Sequence, residues 1–321
     1  MNPAPGTCQD GSVIVTVGEA LIDLIGEDGV LRPLPGGGPF NSAVALGRLE
    51  VPVAFLGRLS HDRFGKLLEE RLSESGVDGR YLLHGPAPTT LSVVQPTADG
   101  GHEFVFYLEG TSYADLAPAD LPELGPEVLA VCAGTLALAT DPPAGAIEAL
   151  LERESGRRLI VVDPNVRPAV FGDRDDYLRR FERWAAFAPV IKLSDADAEW
   201  LYPGLAAEEL LDGILARGAR LVVLTRGADG ALAKTASARA EVASPAVEVV
   251  DTVGAGDAFI AGLLRWLWSN GRLDAESVGA LGSDELQEAI GLAAAVGALQ
   301  CSRAGATPPT LAELDRFRSG A

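Results

Sequence analysis

Short apolar runs rich in β-branched residues recur at residues 13–17, 51–56, 159–162, 190–193 and 221–224. Stretches with helical spacing of apolar positions separate them, at residues 41–49, 64–75, 144–154, 195–202, 207–217, 255–268 and 285–300. A strand that is apolar throughout needs cover on both faces, and strands that alternate with helices favour parallel pairing. The pattern predicts an α/β fold, a three-layer α/β/α sandwich with a mostly parallel central sheet.

One region breaks the alternation. Residues 90–95 and 102–108 have the character of strands and flank Ala98-Asp99-Gly100-Gly101, whose composition suits a hairpin turn. Residues 20–34, with Asp28-Gly29 in the middle, form a second candidate hairpin. The two hairpins either pair into a small β-sheet lid over a cleft, built from about residues 19–35 and 88–112, or serve as edge strands of the main sheet. The chain has no internal repeat and no linker long enough to divide it, so residues 1–321 are read as a single domain.

Composition narrows the partners. The 321 residues are 47% hydrophobic, enough for one large core, and the formal net charge is -19. Such a charge opposes nucleic acid and anionic membrane surfaces over long range. A small anion can still bind where backbone N–H groups, a cation or a few arginines overcome the global field. Cys8, Cys132 and Cys301 are odd in number and far apart, which argues against a disulfide framework. His61, His84 and His102 have no helical spacing suited to a metal centre. The beginning of the chain lacks a basic stretch followed by an apolar run, and no apolar segment has membrane-spanning length. The expectation is a soluble, cytoplasmic protein.

The most informative run is Asp251-Thr252-Val253-Gly254-Ala255-Gly256-Asp257, which leads into an apolar helical face. A glycine-rich turn that opens a helix leaves backbone N–H groups aimed beyond the N-terminus, where they attract an anion. Asp257 then lies beside the place where charge gathers on a phosphoryl group in transfer, and its carboxylate can take the proton of an attacking hydroxyl. An acid in a first turn also simply satisfies the helix terminus. A second run, Pro35-Gly36-Gly37-Gly38-Pro39-Phe40-Asn41, lets the backbone approach a ligand closely, with Asn41 either serving polyol hydroxyls or capping the helix. Upstream, Gly18-Glu19-Ala20-Leu21-Ile22-Asp23 follows the first strand and places Asp23 where a strand end projects into a cleft, or into a solvated loop. A P-loop lysine motif and a dinucleotide fingerprint are both absent from the sequence.

Taken together, these segments resemble the ribokinase, or PfkB, family of carbohydrate kinases, and within it the bacterial fructokinases. The resemblance rests on the glycine run through Asn41 and on to Gly57-Arg58-Leu59-Ser60-His61-Asp62-Arg63-Phe64-Gly65, and on Asp251 through Asp257. It implies a ribokinase-like fold and an ATP-dependent kinase for a primary sugar hydroxyl, fructose first, with 2-keto-3-deoxygluconate, ribose or a nucleoside as alternatives. A sugar-binding regulator without turnover is the alternative of another class.

Carried over by residue, the resemblance makes Asp257 the general base and Gly254, Ala255 and Gly256 the anion hole. Asp23, Gly37, Gly38, Asn41, Asn165 and Arg167 would face the sugar. Lys192, Thr225, Gly227, Gly230 and Gly256 would face ATP. Magnesium would be held chiefly by the nucleotide, with Asp197 as an indirect contact, and a monovalent cation such as K+ would fall at Asp251 and Val253, with backbone near Gly305. Ser194 and Asp197 stand where the family carries an Asn-x-x-Glu motif, Arg226 where it usually has leucine, Ala294 where it often has asparagine, and Leu108 where many fructokinases have arginine. A homodimer joined through the lid is also implied.

Overall fold

The structure, a computed structural model, describes residues 11–27, 30–96, 102–171 and 173–320. The described strands are β1 (Val13–Val17), β2 (Leu21–Glu27), β3 (Val30–Gly36), β4 (Val53–Ser60), β5 (Leu82–Gly85), β6 (Leu91–Pro96), β7 (His102–Tyr107), β8 (Val128–Gly134), β9 (Leu159–Asp163), β10 (Val190–Ser194), β11 (Leu221–Thr225), β12 (Ala231–Lys234) and β13 (Arg239–Val242). The helices are α1 (Gly38–Arg48), α2 (Arg63–Glu74), α3 (Pro143–Glu154), α4 (Arg174–Phe187), α5 (Asp195–Leu201), α6 (Ala207–Arg217), α7 (Ala255–Ser269), α8 (Ala275–Gly279), α9 (Ser283–Cys301) and α10 (Leu311–Ser319).

Nine of the described strands form the main sheet in the order β13-β12-β11-β10-β9-β8-β1-β4-β5. Every pairing from β11 through β5 is parallel, and β12 and β13 add an antiparallel edge. The two-residue period of a strand divides the core between the faces. Ile14 and Val190 pack with α1, α7 and α9 on one side, while their neighbours Val15 and Ile191 pack with α3, α4 and α6 on the other. Both faces are therefore apolar, as the continuous hydrophobic runs require.

The irregular segments form a separate four-stranded sheet, order β3-β2-β6-β7, in which β2 and β6 pair in parallel and the outer pairs are antiparallel. They are not edge strands of the main sheet. The turns expected at Asp28-Gly29 and at residues 98–101 lie outside the described residues. Phe104 and Phe106 face the cleft, and Val105 and Tyr107 point to solvent, as do Val30, Leu31 and Leu34 on β3. One residue, Gly37, joins β3 to α1, and its φ of 107° is accessible to glycine and rarely to other residues.

Candidate active site

α7 begins after Gly254, whose φ of 76° makes the left-handed turn that opens the helix, and Asp257 is its third residue. The Ala255 N–H bonds back to Thr252 O at 3.2 Å, which holds the turn. The N–H groups of Gly254 and Gly256 have no protein acceptor among the described residues. Asp257 is 8% exposed, and its Oδ2 accepts a 2.9 Å hydrogen bond from Asn41 Nδ2. Burial pushes its carboxyl up to about 6, against the Asn41 hydrogen bond, while Asp163 adds to the rise and Lys192 and Arg167 oppose it. Asn41 does not cap its helix. Gly37 holds that position, and Asn41 lies one turn in, facing Asp257.

Asp257 opens onto a cleft of about 960 Å³. The cleft also reaches Asp23, Gly37, Gly38, Asn41, Asn165, Arg167, Lys192, Thr225, Gly227, Gly230 and the turn from Val253 to Gly256. Gly38 shows why a side chain is missing there. A Cβ on it would lie 2.2 Å from Thr135 Oγ1 and 3.4 Å from Asp257 Oδ1, in the space before the carboxylate.

Asp23 does not project from the end of β1. It lies within β2, paired in register with Leu34 of β3 and Ser92 of β6, and Ser92 Oγ donates to its Oδ1. Burial raises the Asp23 carboxyl to about 6, and the Ser92 hydrogen bond and the Arg167 charge oppose this. Asn165 Nδ2 donates to Thr135 Oγ1 at 3.1 Å. Arg167 donates to the carbonyls of Asn165 and Val166, and its guanidinium lies 5.7 Å from the Phe104 ring centre. The small sheet and the main body thus meet over the cleft through a cation–π contact.

On the Lys192 side of the cleft, Lys192 Nζ donates to Asp163 Oδ2 at 2.8 Å, both groups being buried. Burial works against the ammonium charge, but Asp163, Asp197 and Asp257 outweigh it and hold Lys192 above its usual range. Asp197 does not line the cleft. Its Oδ2 accepts from Ser194 N and Oγ and its Oδ1 from Val166 N at 2.7 Å, so it closes the first turn of α5 and ties it to the β9 loop. Asp251 also lies outside the lining, bonded to the N–H groups of Val253 and Gly305. No group of three or more His, Cys, Asp or Glu is arranged to hold a metal among the described residues.

Motif reasoning missed two groups. Glu19, 1% exposed, accepts from the N–H groups of Gly38 and Ala137, each at 3.0 Å, and so ties the glycine run to the turn after β8. Burial pushes it up to about 8, opposed by its backbone hydrogen bonds and aided by Asp257. Thr135, with a φ of 57°, holds Asn165 and faces Gly38. Glu19 could have been found as an acid buried at the end of an apolar strand, whereas Thr135 carries no sequence signal.

The doubly covered sheet, with an acid in the first turn of a glycine-led helix and a cleft before it, suits a phosphotransferase with an alcohol group as acceptor. The model of the pfkB family carbohydrate kinases matches residues 12–313, and the chain belongs to that family. A fructokinase of Rhizobium leguminosarum bv. trifolii is 39% identical over 282 residues, 86% of each chain. Among solved structures, the fructokinase of Xylella fastidiosa with bound ATP superposes with a TM-score of 0.87 at 26% identity, over 96% of this chain and 99% of that one. A double mutant of the Vibrio cholerae O395 fructokinase, in a form with bound fructose, ADP and potassium, gives 0.82 at 29% identity over 96% and 98%.

Proposed function

We propose that this carbohydrate kinase transfers the γ-phosphoryl group of ATP to a primary hydroxyl of fructose, giving fructose 6-phosphate and ADP. The observation that carries the reading is Asp257, buried at the N-terminus of α7, oriented by Asn41 and open to the cleft. Its carboxylate takes the hydroxyl proton as the oxygen attacks the γ-phosphorus and the bond to the ADP oxygen breaks in line. The N–H groups of Gly254 and Gly256 face the charge that develops on the phosphoryl oxygens, whereas that of Ala255, expected to join them, is taken by Thr252 O. Asp23 and Asn165 hold sugar hydroxyls, and Arg167 places positive charge beside them. Lys192, Thr225, Gly227 and Gly230 border the nucleotide. The small sheet serves as a lid, which matters because water competes as the nucleophile.

Magnesium, when bound to the nucleotide, neutralises phosphate charge. The described acids build no cage for it, and both oxygens of Asp197 already accept protein hydrogen bonds, so the ion is assigned to the phosphates and water. The exposed outer face of the lid, with Leu31 and Tyr107, supports a homodimer. ATP as the donor and free Cys132 and Cys301 favour the cytoplasm. No described helix is long and apolar enough to cross a membrane.

A panel of fructose, ribose, 2-keto-3-deoxygluconate and a nucleoside, with coupled ADP detection, tests the reading. Fructose is expected to give the highest kcat/KM. Preference for another acceptor overturns the substrate, and sugar binding without ADP release overturns catalysis.

A further inference from the structure

The last turn of α9 carries a side chain that the proposed reaction does not use. Gln300 is 1% exposed, and its Nε2 donates to two backbone carbonyls, Val253 O at 3.0 Å and Gly305 O at 2.6 Å. Asp251 binds the complementary groups, accepting from Val253 N–H at 3.0 Å and from Gly305 N–H at 2.8 Å. Two side chains thus hold both polar backbone groups of Val253 and of Gly305. Val253 directly precedes Gly254, so this knot fixes the turn that opens α7 beneath Asp257.

Converging carbonyl oxygens beside a carboxylate are the donor set of a hard cation. Here an amide NH2 lies between those carbonyls, with one hydrogen for each, and a cation there would meet both partly positive hydrogens. The residues present therefore do not fit the monovalent cation that the resemblance implied at Asp251 and Val253. The amide orientation follows from its neighbours, since the reversed amide would set Oε1 against two carbonyl oxygens. Oε1 itself is buried with no protein partner among the described residues. In the reversed orientation only a cation could relieve the crowding of three oxygens, and this alternative makes the question decidable.

We propose that Gln300 takes the place of the monovalent cation, so that the turn before Asp257 is held by a covalently attached donor and the protein is indifferent to potassium. The kinetic arm of this inference rests on the kinase reading above, and the stability arm does not.

The test compares the full chain in potassium chloride and in tetramethylammonium chloride at equal ionic strength. For the wild type, the same Tm and the same kcat are expected in both salts. Gln300→Ala, or Gln300→Ser if the alanine variant does not fold, frees the carbonyls. In such a variant, kcat should fall roughly tenfold without potassium and recover with it, the usual size of a coupling between neighbouring sites, and Tm should become potassium-dependent. A rise in wild-type Tm or kcat with potassium overturns the proposal, and so does a folded variant that ignores the salt. If neither variant folds, the wild-type comparison decides. If the chain phosphorylates no sugar, the reading of function fails while the Tm comparison still decides the cation question.

Discussion

Asn41 and Asp257 are 216 positions apart in the chain, and the amide nitrogen of one lies 2.9 Å from a carboxylate oxygen of the other. One residue comes from the helix behind the glycine run, the other from the helix behind the Gly-Ala-Gly turn. The two segments, each notable for its own reason, meet here, with Asn41 holding one oxygen of the Asp257 carboxylate and the other lying on the Gly38 side.

Asp257→Asn should keep the fold, read by circular dichroism, and lower kcat by roughly 10²–10⁴-fold. Parental turnover in that variant would refute the assignment. The carboxyl must be ionised to act, so kcat/KM should fall as pH drops through about 6. Asn41→Ala removes a hydrogen bond that favours the ionised form, and the acid limb should move to higher pH. An unmoved limb would separate Asn41 from the base.

Glu19 should leave a mark on stability. Its carboxyl is raised from 4.5 in the free state to about 8 in the fold. The folded form therefore holds a proton that the unfolded chain has released, and the stability this confers is fully present below pH 4.5 and is lost as pH rises through about 8. Glu19→Gln should flatten that part of the Tm–pH curve. A variant curve with the wild-type slope across this window would show that Glu19 is not the group responsible.

Gly38→Ala should act on catalysis more than on folding. The added methyl displaces Thr135 and enters the space before Asp257 Oδ1. Misplacement on the ångström scale costs on the order of 100-fold, so kcat/KM should fall by about that factor while the melting transition remains cooperative. Sugar kinetics equal to wild type would show that nothing reacts in that space.

The exposed face of the small sheet should bring two copies together. Leu31 is 53% exposed and Tyr107 58% exposed on the two edge strands of the small sheet. The wild type should run at twice the chain mass in light scattering, and Leu31→Lys with Tyr107→Lys should halve it. A monomeric wild type would remove the dimer.

The layered fold was legible because apolar strands and helical periods alternate, and the place of Asp257 at the cleft was legible because a glycine turn before an acid opens a helix toward a ligand. Other elements carried weaker signals. In β8, Ala130, Cys132, Ala133 and Gly134 dilute the β-branched run. The apolar face of α4, Tyr177, Phe181 and Trp184, is interleaved with many charges. Asp23 was expected at a strand end, but its placement depends on which strands flank β2, and that pairing is long-range. Thr135 reached the site for the same reason: the chain crossover after β8 delivers it, with no local pattern to announce it.

Gly37 is the whole length of chain between the sheet that carries Asp23 and the helix that carries Asn41. A joint that short behaves as a crank. If the sheet tilts onto a sugar, as the proposed lid requires, the root of the helix turns with it, and so does the amide bonded to Asp257. On the proposed mechanism, grip on the acceptor and the aim of the carboxylate would then be one mechanical event.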